Sequence, residues 1–232
     1  MIEGLTFEAE GHVYKFKGAV VPSVTKILEQ LEVGSFIAAI KEALRDRPNA
    51  ERGSAIDRYL EQWQAAAEFG TNVHAAIHLY NQDDLIEDEL DPALVPYLNQ
   101  YKRFLSDTGF IVRGSEVLLY NELMGYAGQE DFDGDWRKTT WCVDVKSGVV
   151  PWTVGYQTAG YQQAHPKATR PKRRACLKLS ATDYQFIEQK EVSDFSMFVS
   201  ALNVYRATRK HFPRALGAQL GDQHASRISE YA

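Results

Sequence analysis

The chain has 232 residues, 44% apolar and 25% charged, an ordinary globular balance that fits one elaborated domain around one sizeable core. No apolar run approaches a membrane span and the acidic N-terminus lacks a signal-peptide pattern, so a cytoplasmic protein without a membrane partner is expected. Two cysteines, Cys142 and Cys176, exclude a four-cysteine zinc or iron–sulfur centre, and both lie in strand-like runs where a buried free thiol is expected. The net charge of −5 argues weakly against nucleic acid, but the distribution matters more: residues 83–91 hold six acids and no base, and residues 167–174 hold five bases and no acid.

In chain order, "LTFEAEGHVYKFKGAVV" alternates around Gly11 and predicts a small hairpin. A helix follows with Ser23 as its N-cap, then an amphipathic helix over 35–47 and a long helical pattern over 52–80, with Gly70 as a candidate break. Another helix starts at Asp91 or Pro92 and stops at Gly109. The texture then changes. "FIVRGSEVLLYNE", "GYAGQEDFDGDW" and "TTWCVDVKSG" read as strands, with Gly125 and Gly128 at a turn or bulge. "TVGYQTAGYQQAH" reads as a helix, "RACLKLS" and "YQFIEQK" as strands, and Asp194 as the cap of a last helix. The pattern is therefore α+β: a mostly helical portion over 1–108 with its N-terminal hairpin, a βββαββα core over 109–212 built on a mixed sheet flanked by helices, and a loose tail over 217–232.

The third strand carries an acid and a base two residues apart, Asp144 and Lys146, which strand alternation places on one face. If the first three strands are neighbours, Glu116, Asp131 and Asp144 converge beside Lys146. Carboxylates held together repel unless a cation intervenes, and Mg²⁺ or Mn²⁺ would resolve the conflict. The bland alternative is an exposed Asp–Lys ion pair, which contributes about 0–1 kcal/mol. By alternation, Glu130 should face away from Asp131, so something must satisfy it, and Asp133 should share Asp131's face. His74 and His78 share a helix face but lack the glutamate of a zinc-protease helix, and His78 is expected to be structural.

These pieces, in this order, resemble the PD-(D/E)xK nuclease superfamily, with the nearest likeness to its RecB-type and phage exonuclease members. "FGTNVHAAI" resembles the G-x-x-x-H helix, "GYAGQED" the G-x-x-D strand, "VDVKSG" the D-x-K strand and "QTAGY" the Q-x-x-x-Y helix, while "VPSVTKIL" resembles an N-terminal segment of phage-encoded members. The resemblance covers Val21 to Tyr161. Gln129 and Glu130 depart from it, standing where the family has a small and an aliphatic residue.

The resemblance implies a restriction-endonuclease-like fold in a single nuclease domain over 1–216. It implies metal ligation by His74, Asp131 and Asp144, catalysis by Asp131, Asp144 and Lys146 with Glu116 as an accessory acid, and positioning by Gln157 and Tyr161. The expected activity is a Mg²⁺- or Mn²⁺-dependent DNA exonuclease leaving 5′ phosphates, in phage or prophage recombination or DNA repair, within the cytoplasm of a bacterial host. An endonuclease of the same fold and a non-catalytic DNA-binding module stay open. The basic run, Lys167, Arg170, Lys172, Arg173 and Arg174, is expected to hold the DNA backbone. A single-strand annealing recombination protein and a homo-oligomer are the further partners implied.

Overall fold

The computed structural model of the chain describes residues 2–45 and 48–211. Strands β1 (Leu5–Glu8), β2 (Val13–Phe16) and β3 (Ala19–Val21) form an antiparallel sheet in that order. The expected hairpin is therefore a three-stranded meander. Lys17 (φ 50) and Gly18 (φ 83) turn the chain a second time. Two positive φ values in succession make the primed turn that suits strand twist, and a lysine in its first position conceals that turn from sequence.

Helix α1 (Val24–Leu44) begins as expected, Ser23 Oγ accepting the Lys26 N–H at 3.1 Å. The two helices anticipated here are one, because the backbone runs straight through Gly34. A mid-helix glycine costs about 1 kcal/mol, which packing against other helices readily offsets. Gln30 adds a tie, its amide donating to Ala201 O at 2.7 Å. Helix α2 (Asn49–Asn81) likewise passes through Gly70. A Cβ there would lie 3.5 Å from Ser147 Oγ, so the glycine permits a close approach and breaks nothing. Helix α3 (Val95–Thr108) stops at Gly109, which takes the left-handed conformation (φ 66) and donates to Leu105 O.

The second half follows the expected order: β4 (Ile111–Asn121), β5 (Tyr126–Trp136), β6 (Thr139–Lys146), α4 (Val154–Ala164), β7 (Arg173–Leu179), β8 (Tyr184–Glu188) and α5 (Asp194–His211). The sheet runs β4-β5-β6-β7-β8 and is mixed, with β6 and β7 parallel and the other neighbours antiparallel. The parallel pair requires the α4 crossover. On one face Phe132, Val143, Val145 and Leu177 pack against Val73 and Ile77 of α2 and Tyr101 and Phe104 of α3. On the other, Leu119, Tyr126 and Cys142 pack against α1, α4 and α5 through Ile27, Tyr161 and Phe198. Phe132 alone meets Tyr101 and Phe110 edge to face, and burying such a ring is worth about 2–3 kcal/mol. Both cysteines are buried and free.

Two local expectations change. Gly128 stays in register opposite Leu119, and the bulge falls at Arg113, between Val112 and Gly114. Asp194 opens α5, but its carboxylate goes to Arg174, 3.0 Å away, in a buried ion pair. The tail expected over 217–232 lies outside the described residues.

Candidate active site

Strands β5 and β6 separate where the predicted acids meet. Their ladder runs from Trp136↔Thr139 to Phe132↔Val143 and ends one residue short of an Asp131–Asp144 pair. The Val145 N–H donates instead to Asp131 Oδ2. The side chain thus satisfies a buried donor that the neighbouring backbone has left. Across β5, Glu116 stands at φ 53, a left-handed conformation that costs a residue with a Cβ about 1–2 kcal/mol. The irregularity swaps faces along β5. Phe132 packs on the α3 side, while Glu130, two residues earlier, bonds His165 after α4.

The local break overturns the simple alternation read from sequence for Asp133, which joins Glu130 and His165 and leaves the Asp131 side. Glu130 does face away from Asp131, and His165 is what partly satisfies it. Asp144 and Lys146 behave as alternation requires, Lys146 Nζ lying 2.6 Å from Asp144 Oδ2.

His74, on α2, places Nδ1 2.9 Å from Asp131 Oδ1. His74, Glu116 and Asp131 bring ligand atoms within 4.8 Å of one another. Asp144 stands outside that trio, turned to Lys146, and its carboxylate is almost wholly buried. Asp144 Oδ2 is buried and ionically paired with the Lys146 ammonium. His78 lies outside the trio, its Nδ1 3.0 Å from Ser115 Oγ.

The electrostatics express an excess of acid. Burial, with Asp131's charge adding and His74 opposing, pushes Glu116 up to about 7. Burial pushes Asp144 up to about 6, against Lys146 and with Asp131. Burial works to lower His74 and Lys146, but their carboxylate neighbours prevail and both are raised. Burial likewise opposes ionisation of Asp131, yet His74, Lys146 and the Val145 N–H hold it below the usual carboxylate value. Two acids thus have cationic partners in contact, and Glu116 adds a third. One imidazole nitrogen, several carboxylate oxygens and the nearby buried Asp144 carboxylate form a donor set that fits a divalent cation taking oxygen and imidazole ligands.

Gln157 and Tyr161 are buried on α4, Gln157 Nε2 donating to Tyr161 OH at 3.1 Å. Tyr161 lies over Gly128, where a Cβ would fall 2.7 Å from its ring. That glycine lets α4 settle on β5 beside the acids, a role the sequence reading missed. Both side chains can position strand and helix, and neither is surface-exposed.

The basic run is divided. Arg174 is buried, pairs with Asp194 and donates to Gly155 O and Glu191 O, so it departs from the expected DNA contact and serves the core instead. Arg170 is half-buried and donates to His165 O, while Arg173 pairs with Glu188 at 3.3 Å. Lys167 and Lys172 are exposed. Register puts Arg173 opposite Trp141 and Lys178 opposite Lys146, so the run sits about 16 Å along the strands from the candidate site, at 3.3 Å per residue. Lys178, also missed from sequence, stands beside Lys146 at the end of the parallel pair. Only the strand pairing identifies it.

No protein-family model matches the chain, and no curated protein does. Among solved structures, the chain is similar at 13% identity to a protein from Eubacterium rectale described as a candidate exonuclease, over 59% of this chain and 65% of that one, with a TM-score of 0.43. It is similar at 14% identity to LHK-Exo in complex with dAMP, an exonuclease of Laribacter hongkongensis, over 65% of this chain and 85% of that one, with a TM-score of 0.36. No helix among the described residues is long and apolar enough to cross a membrane.

Proposed function

We propose that this chain is a metal-dependent deoxyribonuclease, an exonuclease that hydrolyses phosphodiester bonds to leave 5′ phosphates. The observation that carries the reading is the pairing of two charge clusters across the parted strands, His74–Glu116–Asp131 on one side and Asp144–Lys146 on the other. His74, Glu116, Asp131 and Asp144 would hold Mg²⁺ or Mn²⁺. When bound, the cation supplies positive charge beside the scissile phosphate and acidifies water there.

Lys146 is the group that meets the reacting phosphate. With a cation bound, Asp144 would serve it, and the Lys146 ammonium would be free to orient the attacking water and to stabilise charge on the phosphoryl oxygens. Lys178 beside it would contact a neighbouring phosphate. Gln157 and Tyr161 keep α4 fixed against β5 and so hold the spacing of Asp131 and Asp144. Lys167 and Lys172 would meet the duplex backbone away from the cut. The likeness to phage-type nucleases adds recombination or repair as the setting, with a single-strand annealing protein and self-association as the partners to look for.

The test compares linear and covalently closed circular DNA with Mg²⁺ or Mn²⁺, using wild type, Lys146→Gln and Asp144→Asn. The reading expects linear DNA to be degraded, circles to survive, and both variants to be inactive. Cleavage of circles would assign an endonuclease. End binding without scission would assign a non-catalytic module. Equal cleavage by wild type and both variants would refute the site.

A further inference from the structure

The other face of β5 carries a second cluster that the proposed chemistry does not use. Glu130 is fully buried, and its Oε1 lies 2.8 Å from Nε2 of His165, the residue that ends α4. The face swap at Glu116 and Asp131 turns Asp133 toward the same place. Carboxylate oxygens of Glu130 and Asp133 and a ring nitrogen of His165 lie within 4.8 Å of one another.

One atom lacks a partner. Glu130 Oε2 is buried and makes no hydrogen bond. The Cys142 thiol borders this carboxylate and also contacts Thr158 O at 3.8 Å, so its one weak S–H is shared between the two, and no nitrogen or oxygen donor meets Oε2. A buried carboxylate oxygen without a donor is costly and needs a cause, such as an ion.

We propose that Glu130, Asp133 and His165 form a second cation site, separate from the His74–Asp131 cluster, that binds a divalent transition ion of the zinc class. The donors are one imidazole nitrogen and carboxylate oxygens, which zinc takes at about 2.0–2.2 Å. Tetrahedral ligands at that radius stand about 3.4 Å apart; here the three ligand atoms lie within 4.8 Å of one another, with the Glu130–His165 contact at 2.8 Å. Gly114 makes room, since a Cβ there would fall 2.8 Å from Asp133 Oδ1. Asp133 is only half-buried and leaves a way in from solvent. Pro166 holds His165 in an extended conformation (φ −64, ψ 145). The ion would tie the end of α4 to β5 one residue from Asp131, a structural clasp whose existence does not depend on nuclease activity.

The test uses the full chain with Asp131→Asn and Asp144→Asn together, which disable the first cluster. After zinc loading and dialysis, metal analysis is expected to find about one Zn²⁺ per chain. Adding His165→Gln should remove it, with at least a 100-fold loss of affinity in a chelator competition. Adding Asp133→Asn, a milder change at a half-exposed position, should weaken binding at least 10-fold while circular dichroism stays native. Cobalt should give tetrahedral visible bands that His165→Gln abolishes. If His165→Gln fails to fold, Asp133→Asn decides. No retained metal in the Asp131→Asn, Asp144→Asn protein, or equal affinity with and without Asp133→Asn, would overturn the proposal.

Discussion

Removing one charge from the candidate centre should stabilise the protein when no metal is present. Glu116 is held at about 7, against an ordinary glutamate value of 4.5. Its folded-state value is raised, so the metal-free fold binds this proton more tightly than the unfolded chain does. The penalty for ionising it is absent below the unfolded value. It grows as pH rises through the interval and is complete above the folded value. At 1.36 kcal/mol per pKa unit the full penalty is about 3 kcal/mol, an upper figure because Glu116 keeps some solvent contact. Glu116→Gln keeps the shape and deletes the charge. In urea unfolding with chelator, the variant is expected to gain about 1–3 kcal/mol at pH 8.5 and nothing at pH 4. Saturating Mn²⁺ should reverse the order, because the wild type then gains a ligand that the variant lacks. A variant less stable than wild type at pH 8.5 without metal, or an effect independent of pH, would refute the charge argument.

Apparent Mn²⁺ affinity should fall at least about 20-fold from pH 8 to pH 6, measured by calorimetry, because protons compete at Glu116 and, to a lesser extent, at Asp144, and also at the raised His74 imidazole. A flat profile would separate metal binding from these acids. Arg174→Met should cost about 3–5 kcal/mol in urea unfolding, since it strands the buried Asp194 carboxylate; a loss in DNA binding with unchanged stability would return Arg174 to the DNA surface. Lys178→Ala should raise KM for linear DNA and reduce the salt slope of binding by about one phosphate contact while leaving kcat nearly intact, and a KM equal to wild type would remove Lys178 from the site. Gly128→Ala should displace the Tyr161 ring and reduce kcat more than it raises KM, since the change acts on the spacing of α4 and β5; full activity would show that this contact tolerates a Cβ.

The sequence conveyed what depends on local chemistry. Ser23 as a cap, Gly109 as a stop and the βββαββα order each follow from side chains acting on their own backbone or from apolar periodicity, and each is observed. Asp144 and Lys146 were placed together because β6 alternates regularly, and they touch. What was hidden depends on tertiary geometry. Gly34 and Gly70 look like breaks until the helices packed around them are known. Alternation puts Asp133 beside Asp131 because it presumes a regular strand, and the pairing of β5 with β4 is irregular where Glu116 adopts a positive φ. Arg174 reads as one more base in a cationic run, and only the approach of α5 reveals it as the partner of Asp194. Lys178 has no sequence signal and becomes visible only through the parallel pairing of β6 with β7. Glu130 did leave a trace, as an acid in a strand-forming run with no evident partner, but His165 lies in a segment whose charge drew attention to its lysines and arginines.

The most direct test is anomalous diffraction from crystals grown with Mn²⁺. The account predicts a manganese peak within coordinating distance, about 2.2 Å, of carboxylate oxygens from both Asp131 and Asp144, with the Lys146 ammonium moved off Asp144. A structure at saturating Mn²⁺ with no peak between β5 and β6, and with Lys146 still on Asp144, would contradict it.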